Sequence, residues 1–180
     1  MKLIISEKPS QAFAYAKALG VKGKKDGYME SNEFIITWCV GHLITLSDPS
    51  VYDEKYKKWN FSVLPILPDE MKLKAIRQTR DQLKILHKWM NSPEIDSLIC
   101  ATDSGREGEL IFRYIYDITK CTKPFERLWI SSMTEEAIKE GFATLKDGRE
   151  YDLLYSSAKC RSEADWLVGM NATRAYTLRY

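Results

Sequence analysis

Ser97-Leu98-Ile99-Cys100-Ala101-Thr102-Asp103-Ser104-Gly105-Arg106-Glu107-Gly108-Glu109-Leu110-Ile111 is the stretch on which the fold turns. A continuous apolar run ends in Thr102-Asp103, and Leu110, Ile111, Tyr114, Ile115 and Ile118 then recur at helical spacing. This is a strand, a tight turn and a helix. The same grammar opens the chain, where the Ile-rich run Lys2 to Ser6 is followed by Glu7-Lys8, Pro9 at a helix start and Gly20 as terminator.

Between these units, Tyr28 to Glu30 and Phe34 to Val40 flank Ser31-Asn32 and predict a hairpin. Residues 47 to 69, with three prolines, Lys55, Lys57, Lys58 and four aromatics, predict a long surface loop. Leu73, Ile76, Leu83, Leu86 and Met90 then predict one amphipathic helix, whose other face carries Lys72, Lys74, Arg77, Arg80, Lys84 and Lys88. Leu128 to Ile130 reads as a third short strand. Ser132-x-x-Glu135 is a capping-box pattern opening a helix that runs to about Leu145, before Gly148. From Tyr151 a further helical pattern continues to Tyr180. Alternating β and α elements predict a doubly wound, mainly parallel α/β sheet. We divide the chain into 1–150 and a helical segment, 151–180, that begins a following domain.

The composition bounds the partners. The 180 residues are 44% hydrophobic and 12% aromatic, enough for one sizeable core. With a net charge of only +2, a polyanion must be met by local basic patches. Cys39, Cys100, Cys121 and Cys160 form no C-x-x-C, and His42 and His87 stand at no metal-ligand spacing from them or each other, which predicts reduced thiols. The N-terminus lacks a signal-peptide pattern and no run is long enough to span a membrane, so a soluble cytoplasmic protein is expected.

Chemistry concentrates at the strand ends. In an open α/β sheet the reactive crevice lies beyond the carboxyl ends of the strands, where Glu7 and Asp103 fall. Positions 103 and 107 can face one ion, while Gly105 and Gly108 let the backbone bend closely. Such hard oxygen ligands suit magnesium. The simpler reading is that the carboxylates cap the following helices, which explains one Asp well and Glu7-Lys8 less well.

Ser6-Glu7-Lys8-Pro9-Ser10 and Thr102-Asp103-Ser104-Gly105-Arg106-Glu107-Gly108-Glu109 resemble the two Toprim signatures of type IA DNA topoisomerases, particularly the bacterial topoisomerase III branch. A third match, Arg161 to Thr177, resembles the helix where that family's next domain begins. The resemblance spans nearly the whole chain and implies a Rossmann-like Toprim fold. It also implies an enzyme in which a tyrosine attacks single-stranded DNA and forms a 5′-phosphotyrosine. That tyrosine lies in a later domain, so the remaining topoisomerase domains are implied partners; none of the ten tyrosines here sits in a copy of the nucleophile motif.

By resemblance, Glu7 is the general acid and base at the leaving 3′-oxygen, and Lys8 stabilises charge on the scissile phosphate. Glu7, Asp103 and Glu107 hold Mg2+. The family commonly has D-x-D-x-E here; Gly105 removes the middle carboxylate and implies one weakly held ion. Lys8, Arg161, Asp165, Asn171 and Arg174 are implied to border the single-stranded DNA groove, although Arg161 and Asp165 could simply form an i, i+4 ion pair. Arg106 reads as the partner of a neighbouring carboxylate, and His42, in a Gly-His pair after a strand, as a neighbour of the site. Two alternatives stay open: another Toprim phosphodiester enzyme such as a nuclease or primase, and a non-catalytic nucleic-acid binding module.

Overall fold

The structure, a computed structural model, describes all of residues 1–180. Strands β1 (Lys2–Ser6) and β7 (Ser97–Ala101) form the centre of a 7-stranded sheet of order β2-β3-β4-β1-β7-β8-β9. Both are runs of small and branched apolar residues that are buried on two faces, as a central parallel strand requires. Along β1, Leu3 and Ile5 face one layer and Ile4 faces the other. Strands β4 (Phe34–Trp38), β1, β7 and β8 (Phe125–Arg127) run parallel. Antiparallel β2 (Gly23–Lys24) and β3 (Tyr28–Glu30) complete one edge, and antiparallel β9 (Lys146–Asp147) the other.

Helices cover both faces. Helix α1 (Pro9–Ala18) begins at Pro9, whose predecessor Lys8 is extended as a residue before proline prefers. It places Ala12, Tyr15 and Ala16 against Ile4, Ile36 and Ile99, beside Ile138 of α4 (Glu135–Ala143). On the other face, α2 (Arg80–Met90) and α3 (Arg106–Ile118) bring Leu86, Met90, Ile111 and Ile115 against Leu3, Ile5 and Leu98. Helices α1 and α3 leave neighbouring parallel strands toward opposite faces, so the crevice between β1 and β7 is the sheet's switch point.

The structure corrects four sequence expectations. The third strand is Phe125–Arg127, three residues earlier than expected, and it ends in the fully buried Arg127. Residues 72–90 are not one helix: Leu73–Ala75 form β6, paired antiparallel with β5 (Ile44–Leu46), and the helix begins only at Arg80. Helix α4 is capped by Thr134, whose hydroxyl accepts from the Ala137 N–H, rather than by Ser132, and it stops at Ala143. Residues 47–69 are not a free surface loop. They fold into short 3-10 turns, bury Ile66 completely and lie across the last helix.

That last helix, α5 (Asp152–Arg179), packs on α3 through Ala158 and through the edge-on Tyr114–Tyr155 pair. The 47–69 segment straps its second half. Trp166 Nε1 donates to the Ser47 carbonyl at 3.1 Å, and the Asn171 amide both accepts from Ile66 N–H at 2.6 Å and donates to Ile66 C=O at 2.9 Å. No helix is long and apolar enough to cross a membrane.

Candidate active site

Two turns converge at the carboxyl edge. In the first, β1 ends at Ser6, whose hydroxyl donates to the Lys8 carbonyl at 3.0 Å and tightens the turn carrying Glu7 and Lys8. In the second, β7 ends at Ala101 and is followed by Thr102, whose hydroxyl donates to Gly108 C=O at 2.8 Å and pulls the start of α3 back over Asp103. Gly108 is required there, because a Cβ at this position would lie 2.2 Å from the Asp103 carbonyl oxygen. Gly105 is different: a side chain there would meet open space.

The turns are cross-linked. The Asp103 N–H donates to Glu7 Oε2 at 3.2 Å. Lys8 Nζ lies 3.2 Å from Asp103 Oδ2 and 3.7 Å from Glu7 Oε1, so one ammonium bridges two carboxylates. Glu7 is buried while half of the Asp103 side chain faces solvent. Burial pushes the proton affinity of the Glu7 carboxyl above its ordinary value and the Asp103 charge adds to this; the Asp103 N–H and Lys8 pull the other way without cancelling it. Lys8 is raised in turn, chiefly by its hydrogen bond to Asp103.

Glu107 does not join this pair. Its carboxylate contacts His42 Nε2, and no group of three His, Cys, Asp or Glu side chains is close enough to hold a metal ion as the side chains stand. His42 arrives there because Gly41, at φ +77°, turns the chain after β4 in a conformation that favours glycine. His42, Glu107, Arg106, Arg161 and Asp165 line one open groove beside the cleft. Arg161 and Asp165 form the i, i+4 pair at 3.7 Å. Arg106 has no carboxylate partner, since the neighbouring acids are engaged by Lys8, His42 and Arg161. Asn171 and Arg174 lie elsewhere, under the strap. Arg174 is buried, donates to Tyr56 C=O at 2.8 Å and stacks on Trp59.

Sequence reading missed the support of the second turn. Glu109, fully buried, receives Arg113 Nε on one oxygen and Arg127 Nε on the other, each at 2.9 Å. The rest of the Arg127 guanidinium donates to the carbonyls of Cys100, Thr102, Asp103 and Leu128, so this triad fixes the backbone that presents Asp103. The i, i+4 spacing of Glu109 and Arg113 was visible in the sequence; the approach of Arg127 from β8 was not.

An open, mainly parallel sheet with paired acidic turns and a lysine at its switch point defines an α/β domain built to manage negative charge at the strand ends. A model of the Toprim domain matches residues 2–133, and the chain belongs to that family. It is 52% identical over 178 residues to the DNA topoisomerase 3 of Bacillus cereus and 49% identical to that of Staphylococcus haemolyticus. Each match covers 99% of this chain but 24% and 25% of the relative, so the chain spans about a quarter of these proteins' length. Full-length topoisomerase I from Thermotoga maritima superposes over 81% of this chain and 21% of its own, with a TM-score of 0.54 at 22% identity, a likeness of fold.

Proposed function

We propose that this chain supplies the acidic half of a type IA topoisomerase active site, holding Mg2+ and the phosphates of single-stranded DNA for a tyrosine outside these residues. The observation that carries the reading is the cross-link of Glu7, Lys8 and Asp103, from motifs 95 residues apart, at the sheet's switch point. A structural pair would not require a half-exposed lysine between two carboxylates at the mouth of a crevice.

Glu7 suits the general acid because its raised proton affinity brings it toward the working pH, and its place beside Lys8 keeps it near a bound phosphate. Lys8, whose side chain is 53% exposed, offers its ammonium to that phosphate. The donor set fits a hard divalent cation: Glu7, Asp103 and Glu107 are carboxylates, and the latter two are open to solvent, so an ion could keep its waters. Bound magnesium would neutralise charge on the phosphate. Glu107 would have to leave His42 to take part, which, with Gly105 bearing no carboxylate, supports one weakly bound ion. Arg106 and Arg161 extend positive charge along the groove, where a single strand would be met through its phosphates. A cytoplasmic protein acting on DNA follows from this reading.

The test is a magnesium titration by calorimetry on the parent chain, Asp103→Asn and Gly105→Asp. Weak, weaker and stronger binding are expected in that order; the open space at position 105 accepts the new carboxylate. Unchanged affinity in Asp103→Asn together with no gain in Gly105→Asp would make a non-catalytic nucleic-acid binding module the better reading.

A further inference from the structure

Gln11, on the first turn of α1, faces both acidic turns at once. Its Oε1 accepts from the N–H groups of Glu7 at 3.1 Å and Lys8 at 3.2 Å, and its Nε2 donates to Asp103 Oδ1. Asp103 therefore has one carboxylate oxygen held by an amide and the other by the Lys8 ammonium. A helix cap needs only the acceptor half of this side chain. Glutamate, the common residue at such a position, would cap equally well but would bring a third negative charge and no donor to Asp103. Gly105, for its part, has no side chain with which to restrain its neighbour.

We infer that Gln11 is a positioning residue, which sets the direction of the Asp103 carboxylate so that Oδ2 faces the space beside Lys8 where phosphate and magnesium meet. This rests on the proposed function of Asp103. Neutral at every working pH, the amide orients the carboxylate without competing for its charge. Partners that orient a ligand in this way change metal affinity by about 10- to 100-fold when removed.

The test uses the whole 180-residue chain with Gln11→Met, which keeps side-chain length and loses both hydrogen-bonding functions. Gln11→Asn, which keeps an amide of shorter reach, is a second variant. Each is titrated with MgCl2 and followed by the NMR shifts of the 103–108 backbone amides, with a thermal melt alongside and Asp103→Asn as control. Both Gln11 variants should bind magnesium about tenfold more weakly while folded. A lowered melting temperature with unchanged affinity, beside a weakened Asp103→Asn, would reduce Gln11 to a helix cap and overturn the inference. Unchanged affinity in Asp103→Asn would overturn the reading of the site, and the inference with it.

Discussion

Glu7 carries a proton more tightly in the folded chain than in the unfolded one, because burial and then Asp103 disfavour its charge. The sign of its linkage follows. The stability this group contributes is greatest below its ordinary value of 4.5 and falls as pH rises through its own raised value. Glu7→Gln should therefore melt at a higher temperature than the parent at about pH 7.5, with the difference closing below about pH 4.5. Melts across that range check it; a parent at least as stable as the variant at the upper end would mean that Lys8 and the Asp103 N–H outweigh burial. A variant more stable than the parent would fit the general-acid role proposed for Glu7. Glu7, Lys8 and Asp103 were individually legible from the sequence, since each ends a strand or opens a helix. The third carboxylate, by contrast, stands apart from Glu7 and Asp103. Glu107 follows Asp103 by four residues, but the Gly41 bend delivers an imidazole that claims it.

At the scale of elements, sequence reading erred wherever a partner distant in the chain decided the outcome. Leu73 and Ile76 are three apart and suit a helix. What makes Leu73–Ala75 a strand is Ile44–Leu46, nearly thirty residues upstream. Leu128 to Ile130, a short run without charge, reads as the third strand. The true strand ends in an arginine that tolerates complete burial only because Glu109 and four backbone carbonyls surround it. That arrangement predicts an asymmetry. Glu109→Ala would leave the buried Arg127 without a counter-charge and Arg113 with only Asp152, and should cost about 3–5 kcal/mol, whereas Arg149→Ala, which breaks only the exposed pair with Asp147, should cost far less. Urea unfolding of the two variants measures both, and comparable small losses would mean that the triad adds little to the fold. The sheet itself was read correctly, because β1 and β7 are runs that only a doubly covered strand explains.

For the molecule as a whole, a net charge of +2 leaves binding of a polyanion to a few local cations. If Lys8, Arg106 and Arg161 each meet one phosphate, the logarithm of affinity for a single strand should fall against the logarithm of salt with a slope of about −2. Fluorescence anisotropy with a labelled oligonucleotide at several salt concentrations gives that slope, and a value near zero would remove these three residues from the interface. Asn171 and Arg174 enter differently, since the Asn171 amide and one Arg174 nitrogen bond to the strap of residues 47–69. The strap and α5 together make a stiff arm. At 1.5 Å per residue, 28 helical residues reach about 42 Å, so each degree of tilt at the base displaces the tip by about 0.7 Å. The contacts of Trp166, Asn171 and Arg174 lie far along that length, where a given restraint on position limits angle most. Loosening the strap would therefore blur the aim of the tip by ångströms while leaving Glu7 and Asp103, which sit on the turns after β1 and β7, where they are.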